Sequence, residues 1–250
     1  MKNPQELSQQ KVGEIVLANP NAMRVFTKFG IDFCCGGKLT LEVACNKRKL
    51  QLSDVEQALV EAAIAAEAPD TLEDPQNWAL DRLADHIVGK HHAFVAEQTP
   101  EILRLLDKVS KRHGPEHPEL YEMNSIFQAV AGELAQHMKK EELILFPAIK
   151  RLALVDRGEA VYQTPPFGSV ANPINMMEME HESAGGGLDQ IRTLANNFTL
   201  PEGACMSYWQ VYQLLDAYEK DLHVHVHLEN NILFPKAIIL ESQLTQMQHV

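Results

Sequence analysis

The stretch His137-Met138-Lys139-Lys140-Glu141-Glu142-Leu143-Ile144-Leu145-Phe146-Pro147 decides the reading of this chain, because a second stretch repeats its pattern. There, His225-Val226-His227-Leu228-Glu229 is followed by Ile232-Leu233-Phe234-Pro235. In both, a Glu stands four residues after a His, and Phe-Pro follows the Glu at the same distance. Residues four apart share one face of an α-helix, so each copy offers an imidazole and a carboxylate to one point in space. Two such helices facing each other are a recurrent way to hold two metal ions inside a four-helix bundle.

The repeat extends upstream. His92 lies 45 residues before His137, and His181 lies 44 before His225. Each half then reads as a helix with one His, a connection, and a helix with His-x-x-x-Glu. Two halves give four helices, four His and two Glu, and an internal repeat of this kind fixes the architecture. One His-x-x-x-Glu means little. Two copies with matching tails and matching upstream histidines are hard to obtain by accident, the alternative being a bundle whose polar residues merely fall in register.

The composition bounds the rest. The chain has 250 residues, 45% of them hydrophobic, enough for one large domain or a large and a small one. A net charge of −12 argues against nucleic acid and against anionic membrane surfaces as partners. No run of about twenty apolar residues is present to span a membrane. Residues 1–10 are polar, with no apolar signal core, which predicts a cytoplasmic protein. Cys34, Cys35, Cys45 and Cys205 form no secreted disulfide framework and are expected as thiols. Adjacent Cys34 and Cys35 could bridge to each other only with strain.

In chain order, residues 11–68 read as a small helical unit. Asn19-Pro20 breaks its first apolar stripe, and Gly30 ends a second short helix. Paired glycines after Cys34-Cys35 predict a tight turn that exposes backbone and thiols. Thr40 caps a helix through Cys45; Ser53 with Glu56 forms a capping box for another, running through Ala68. Residues 69–78 read as a linker, rich in Pro and Asp at its start. Residues 79–250 then form the bundle. Its helices are expected over about 80–106 (bent at Pro100), 120–149 (ended or kinked by Pro147), from 174 onward, and 204–239. Residues 111–118, 156–173 and 196–203 read as loops, with His113 and His117 solvated. Gly185-Gly186-Gly187 inside the third helix costs about 1 kcal/mol per residue relative to Ala and calls for a reason, either close helix contact or an access path to the metals.

A site of His and carboxylate without Cys suits iron, manganese or zinc. Glu141 and Glu229 could bridge two ions, leaving two His for each and open positions for a small molecule or an oxo bridge. His91 and His92 point about 100° apart and cannot both face one metal. His223 and His227 form a second, weaker pairing at four residues, otherwise solvated. Glu142 should point away from Glu141. Glu180 reads either as a group supporting a ligand or as a base, or else as a solvated carboxylate. Cys205 reads as structural. Cys34 and Cys35 read either as a buried pair or as exposed thiolates for iron transfer or redox exchange.

Asp32-Phe33-Cys34-Cys35-Gly36-Gly37-Lys38 resembles the signature of the ScdA-type N-terminal domain. The two His-x-x-x-Glu motifs, with Glu180-His181-Glu182-Ser183-Ala184-Gly185, resemble the hemerythrin-like domain that follows it. Together they resemble the iron–sulfur cluster repair di-iron proteins, the RIC family, over nearly the whole chain. The resemblance implies an all-α fold: a small helical N-terminal domain, residues 1–68, and a four-helix hemerythrin-like bundle, residues 79–250. It implies a non-haem centre of two iron ions, oxo- and carboxylate-bridged. The positions that match are His92, His137, His181 and His225 with Glu141 and Glu229, and aligning Glu97-Gln98-x-Pro100 favours His92 over His91. The implied role is restoring iron–sulfur clusters damaged by nitric oxide or peroxide, with damaged iron–sulfur proteins as partners and Cys34 and Cys35 helping to move iron. Family analogy also makes the small domain a dimer contact. Two alternatives remain open. One is an oxygen or nitric oxide carrier or sensor, against which four rather than five convincing histidines count. The other is a turnover enzyme reducing nitric oxide or peroxide, set below a repair or iron-donor protein.

Overall fold

In the computed structural model, residues 7–64 and 74–247 are described. They fall into two compact units. One runs up to Ala79 and includes His223–Lys236; the other covers Leu80–Leu222 and resumes at Ala237. Residues 69–73 of the boundary expected at 69–78 lie outside the described residues, as does the end of the helix expected to reach Ala68. Among the described residues there is no β-strand, only an isolated antiparallel bridge between Lys11 and Thr40.

The first unit opens with α1 (Val12–Ala18) and α2 (Ala22–Phe29), separated where Asn19-Pro20 predicts a break. Gly30 terminates α2 at φ 65°, a left-handed conformation that costs glycine little. Thr40 caps α3 (Leu41–Arg48) by accepting from the Val43 N–H. Ser53 does not cap α4 (Leu52–Ile64): it lies inside the first turn, and its hydroxyl turns to Asp54. Val12, Val16, Phe26, Phe33, Leu41 and Val55 are buried together with Cys45. Each such side chain contributes about 1.5–3 kcal/mol on leaving water.

The second unit begins with α5 (Leu80–His86), a π-helical turn over Ile87–His92, and α6 (Ala93–His113). Pro100 sits within α6. The departure from α geometry is therefore at Ile87–His92 and not at the proline. α6 also runs further than expected. His113, expected to be solvated, is buried, with Nε2 3.2 Å from the Cys205 sulfur. His117 is half-buried beside Glu119.

α7 (Glu119–Lys140) leads into a π-turn over Glu141–Leu145 and then α8 (Phe146–Asp156). Pro147 neither ends nor interrupts the helical path; it occupies the start of α8. Proline has no N–H to give to the preceding turn. The chain absorbs that loss in a wider turn, in which the Phe146 N–H donates to the Glu141 carbonyl five residues back. α9 (Ala171–Leu194) carries all three glycines in α conformation. A Cβ on Gly187 would lie 2.6 Å from Val130 Cγ2, so close packing of α9 on α7 is the reason for that glycine. α10 (Met206–Leu228) begins in the second unit, and its last residues, from His223, belong to the first. A π-turn over Glu229–Leu233 and α11 (Phe234–Met247) follow it. No described helix is long and apolar enough to cross a membrane.

Candidate metal centre

The second unit brings together four of the residues the repeat singles out. His137 and Glu141 are separated by four residues at the α7/π-turn junction, and the Glu141 Oε2 lies 3.3 Å from His137 Nε2. His92, the last residue of its π-turn, places Nε2 3.4 Å from the same oxygen. His181 on α9 faces His137, Nε2 to Nε2, at 3.0 Å. All four side chains are buried, and Glu141 is wholly inaccessible.

The outer nitrogens explain how these rings are held. The His137 Nδ1 is 2.9 Å from Glu180, which Lys140 also binds. The His92 Nδ1 is 2.7 Å from Glu142, and its ring stacks on Phe146. A carboxylate only accepts, so Nδ1 of each ring carries the proton and donates. In the neutral ring each Nε2 then carries the lone pair, on the side that faces Glu141. Burial pushes the Glu180 carboxyl up, but Lys140 and His137 outweigh it and hold that carboxyl below its usual range. Glu180 is therefore an anion beside His137. Imidazole nitrogens gathered round a wholly buried carboxylate are electron-pair donors held close together. A cation suits that set, and outer carboxylates orienting imidazoles in this way are the usual surroundings of a metal ligand.

His91 is buried as well but turns elsewhere: its Nδ1 lies 3.0 Å from both Asp221 oxygens. Of the adjacent pair, His92 is the one beside Glu141. Glu142 points away from Glu141, as expected, and accepts from the outer Nδ1 of His92. Neither Asp221 nor Lys140 was legible in the sequence, since both act across helices. The π-turns left a faint trace: Phe-Pro at one fixed distance after the Glu of both motifs.

In the first unit, His225 Nε2 and Glu229 Oε1 are 3.0 Å apart and fully buried. Glu229 opens a π-turn just as Glu141 does, and the Phe234 N–H donates to its carbonyl. His227 is buried rather than solvated, and His223 is half-buried. Both rings meet Phe33 edge-on, at 5.7 and 5.9 Å. Burial pushes the His227 imidazole down to about 4, so it is neutral.

Phe33 leads directly into Cys34 and Cys35. The Asp32 carboxylate accepts the backbone N–H groups of Cys34, Cys35 and Gly36 at 2.9–3.0 Å and the Cys34 thiol at 3.1 Å. The two sulfurs are 3.9 Å apart. Cys34 is buried, against the expectation of exposure; Cys35 is half-exposed. The neighbouring Cys35 thiol, burial and the Asp32 charge push the Cys34 thiol well above its ordinary value. Cys34 is therefore a protonated thiol. The turn does form, over Cys35–Lys38, but it folds one thiol inward. All four cysteines are free.

Comparison with known proteins agrees with this arrangement. Residues 8–63 match the ScdA_N family, described as a domain of unknown function, and residues 82–237 match the hemerythrin HHE cation binding domain. A Haemophilus influenzae protein named "Probable iron-sulfur cluster repair protein" is 35% identical over 231 residues, 92% of this chain and 97% of the relative. Proteins of Yersinia pestis and Yersinia pseudotuberculosis named "Iron-sulfur cluster repair protein YtfE" are 38% identical over 230 residues, 92% of this chain and 96% of theirs. The all-helical structure, the twin His-x-x-x-Glu motifs and these matches over most of the length agree, and the chain belongs to the family of ScdA_N–hemerythrin proteins whose curated relatives are named for iron–sulfur cluster repair.

Proposed function

We propose that this protein repairs iron–sulfur clusters damaged by oxidative or nitrosative stress, supplying iron to damaged iron–sulfur proteins in the reducing cytoplasm. The observation that carries the reading is the convergence of His92, His137 and His181 on buried Glu141, with Glu142 and Glu180 holding two of the rings from outside. His225 and Glu229, the same motif with the same π-turn, supply the remaining donors of a two-iron centre within a bundle of residues 79–250. Glu141 and Glu229 would be its bridging carboxylates. Bound there, two iron ions would supply redox chemistry and exchangeable coordination positions. The protein's part is to keep each Nε2 deprotonated and aimed inward, and to keep Glu141 dry. Cys34 and Cys35, in the domain of residues 1–68, take iron onward. The names of the relatives support the role, and the absence of Cys among the proposed ligands supports iron over softer metals.

The test is iron per chain in anaerobically purified protein, with Glu141→Ala and Glu229→Ala beside it. About two irons in the parent and one or none in each variant is the expected outcome. Metal content unchanged by both substitutions would reduce the repeated motif to a structural one. Transfer is tested with a nitric-oxide-damaged cluster protein, whose recovery should require Cys34 and Cys35.

A further inference from the structure

The helical segment from His223 to Asn231 has two stripes. His225 and Glu229 form one. His223, His227 and Asn231 form another, spaced four by four and displaced by two residues, about 200° around the axis. The second stripe is spent on the Cys34–Cys35 loop. Phe33 packs on His223 and His227. The Asn231 side-chain nitrogen lies 2.9 Å from His227 Nδ1 and 3.3 Å from the Phe33 carbonyl. That carbonyl only accepts, so the amide nitrogen must face it, and His227 Nδ1 is the acceptor of the other amide hydrogen. His227 in turn hydrogen-bonds the Phe33 backbone.

The other side of the amide is equally determined. A Cβ on Gly13 would lie 2.6 Å from Asn231 Oδ1, and one on Gly37 would lie 2.8 Å from it. The amide fills a socket that two glycines leave open. Phe33 immediately precedes the cysteine pair and Gly37 follows it by two residues, so one side chain grips the loop on both sides of its thiols. Asp32 shapes the loop from within; Asn231 fixes where it lies. At the matching position of the first motif stands Leu143, which is 75% exposed.

We infer that Asn231 is the positioning residue of the Cys34–Cys35 pair, latching the loop through the Phe33 carbonyl and the Gly13/Gly37 socket to the helix that bears His225 and Glu229, and keeping Cys34 covered until the latch opens. The consequence for iron transfer rests on the proposed function; the latch itself does not. The thiols then react at a rate set by release of the loop.

The test uses the full-length, iron-loaded chain and iodoacetamide, with labelling resolved by residue in a mass spectrometer. Asn231→Ala should raise Cys34 labelling about tenfold, the effect of losing a half-buried hydrogen-bonded anchor. Cys45, buried in the same unit, should label as in the parent, and iron per chain should not change. Gly37→Ala should raise Cys34 labelling on its own by displacing the amide. In the double variant the new methyl enters vacated space, so the combined effect should equal that of one substitution. Unchanged Cys34 labelling, a parallel rise at Cys45, loss of iron, or additive effects in the double variant would each overturn the latch. Cluster recovery by the Cys34→Ala/Cys35→Ala variant is scored separately, and its persistence would sink the transfer role while leaving the labelling result standing.

Discussion

The two copies of His-x-x-x-Glu are nearly the same machine on one side and different on the other. His137 and His225, Glu141 and Glu229, the two π-turns, Phe146 and Phe234 are all buried in matching positions. The opposite stripes diverge. Ala135, Lys139 and Leu143 face water in the first copy. Their counterparts His223, His227 and Asn231 are buried or half-buried against the Cys34–Cys35 loop and Gly13. The lesson is that a repeat is held to its pattern only where both copies face the same chemistry. Where one copy meets solvent and the other a second set of helices, the residues follow their surroundings.

This contrast can be broken at matched positions. Ile232 is buried and Ile144 is half exposed. Ile232→Ala should cost about 2–5 kcal/mol in denaturant unfolding, and Ile144→Ala less than about 1 kcal/mol. Equal losses would mean that the second copy is not covered as described. The outer carboxylates of the first copy come next. Glu180→Gln and Glu142→Gln should each weaken metal binding by about 10–100-fold in a chelator competition, because an amide no longer holds the Nδ1 proton as an anion does. Unaltered affinity would show that packing alone orients these rings. Smallest is Leu143→Asn, which puts the residue of the second copy into the first. With no loop there to grip, stability in denaturant unfolding should change by no more than about 0.5 kcal/mol.

Much of the site was legible because chemistry and spacing coincide. His137 and Glu141 follow from i,i+4 geometry, His181 and the His91-His92 pair from the internal repeat, and burial brings His92, His137, His181 and Glu141 together. The glycine run followed the same logic, with Gly187 explained by Val130. Other residues misled. Cys34 looked exposed because two glycines follow it, yet Asp32 gathers the backbone and turns the thiol inward. His113 sat in a stretch that reads as loop, but α6 carries it on to Cys205.

By itself, the sequence determined the helical class, the repeat and the spacing of the candidate donors, because helical periodicity makes side-chain direction a function of residue spacing. Only the tertiary structure decided which of His91 and His92 lies beside Glu141, which carboxylates hold the outer nitrogens, and that His223, His227 and Asn231 serve the cysteine loop. Those outcomes depend on contacts between segments distant in the chain, such as Phe33 and Asn231, and no local period encodes them.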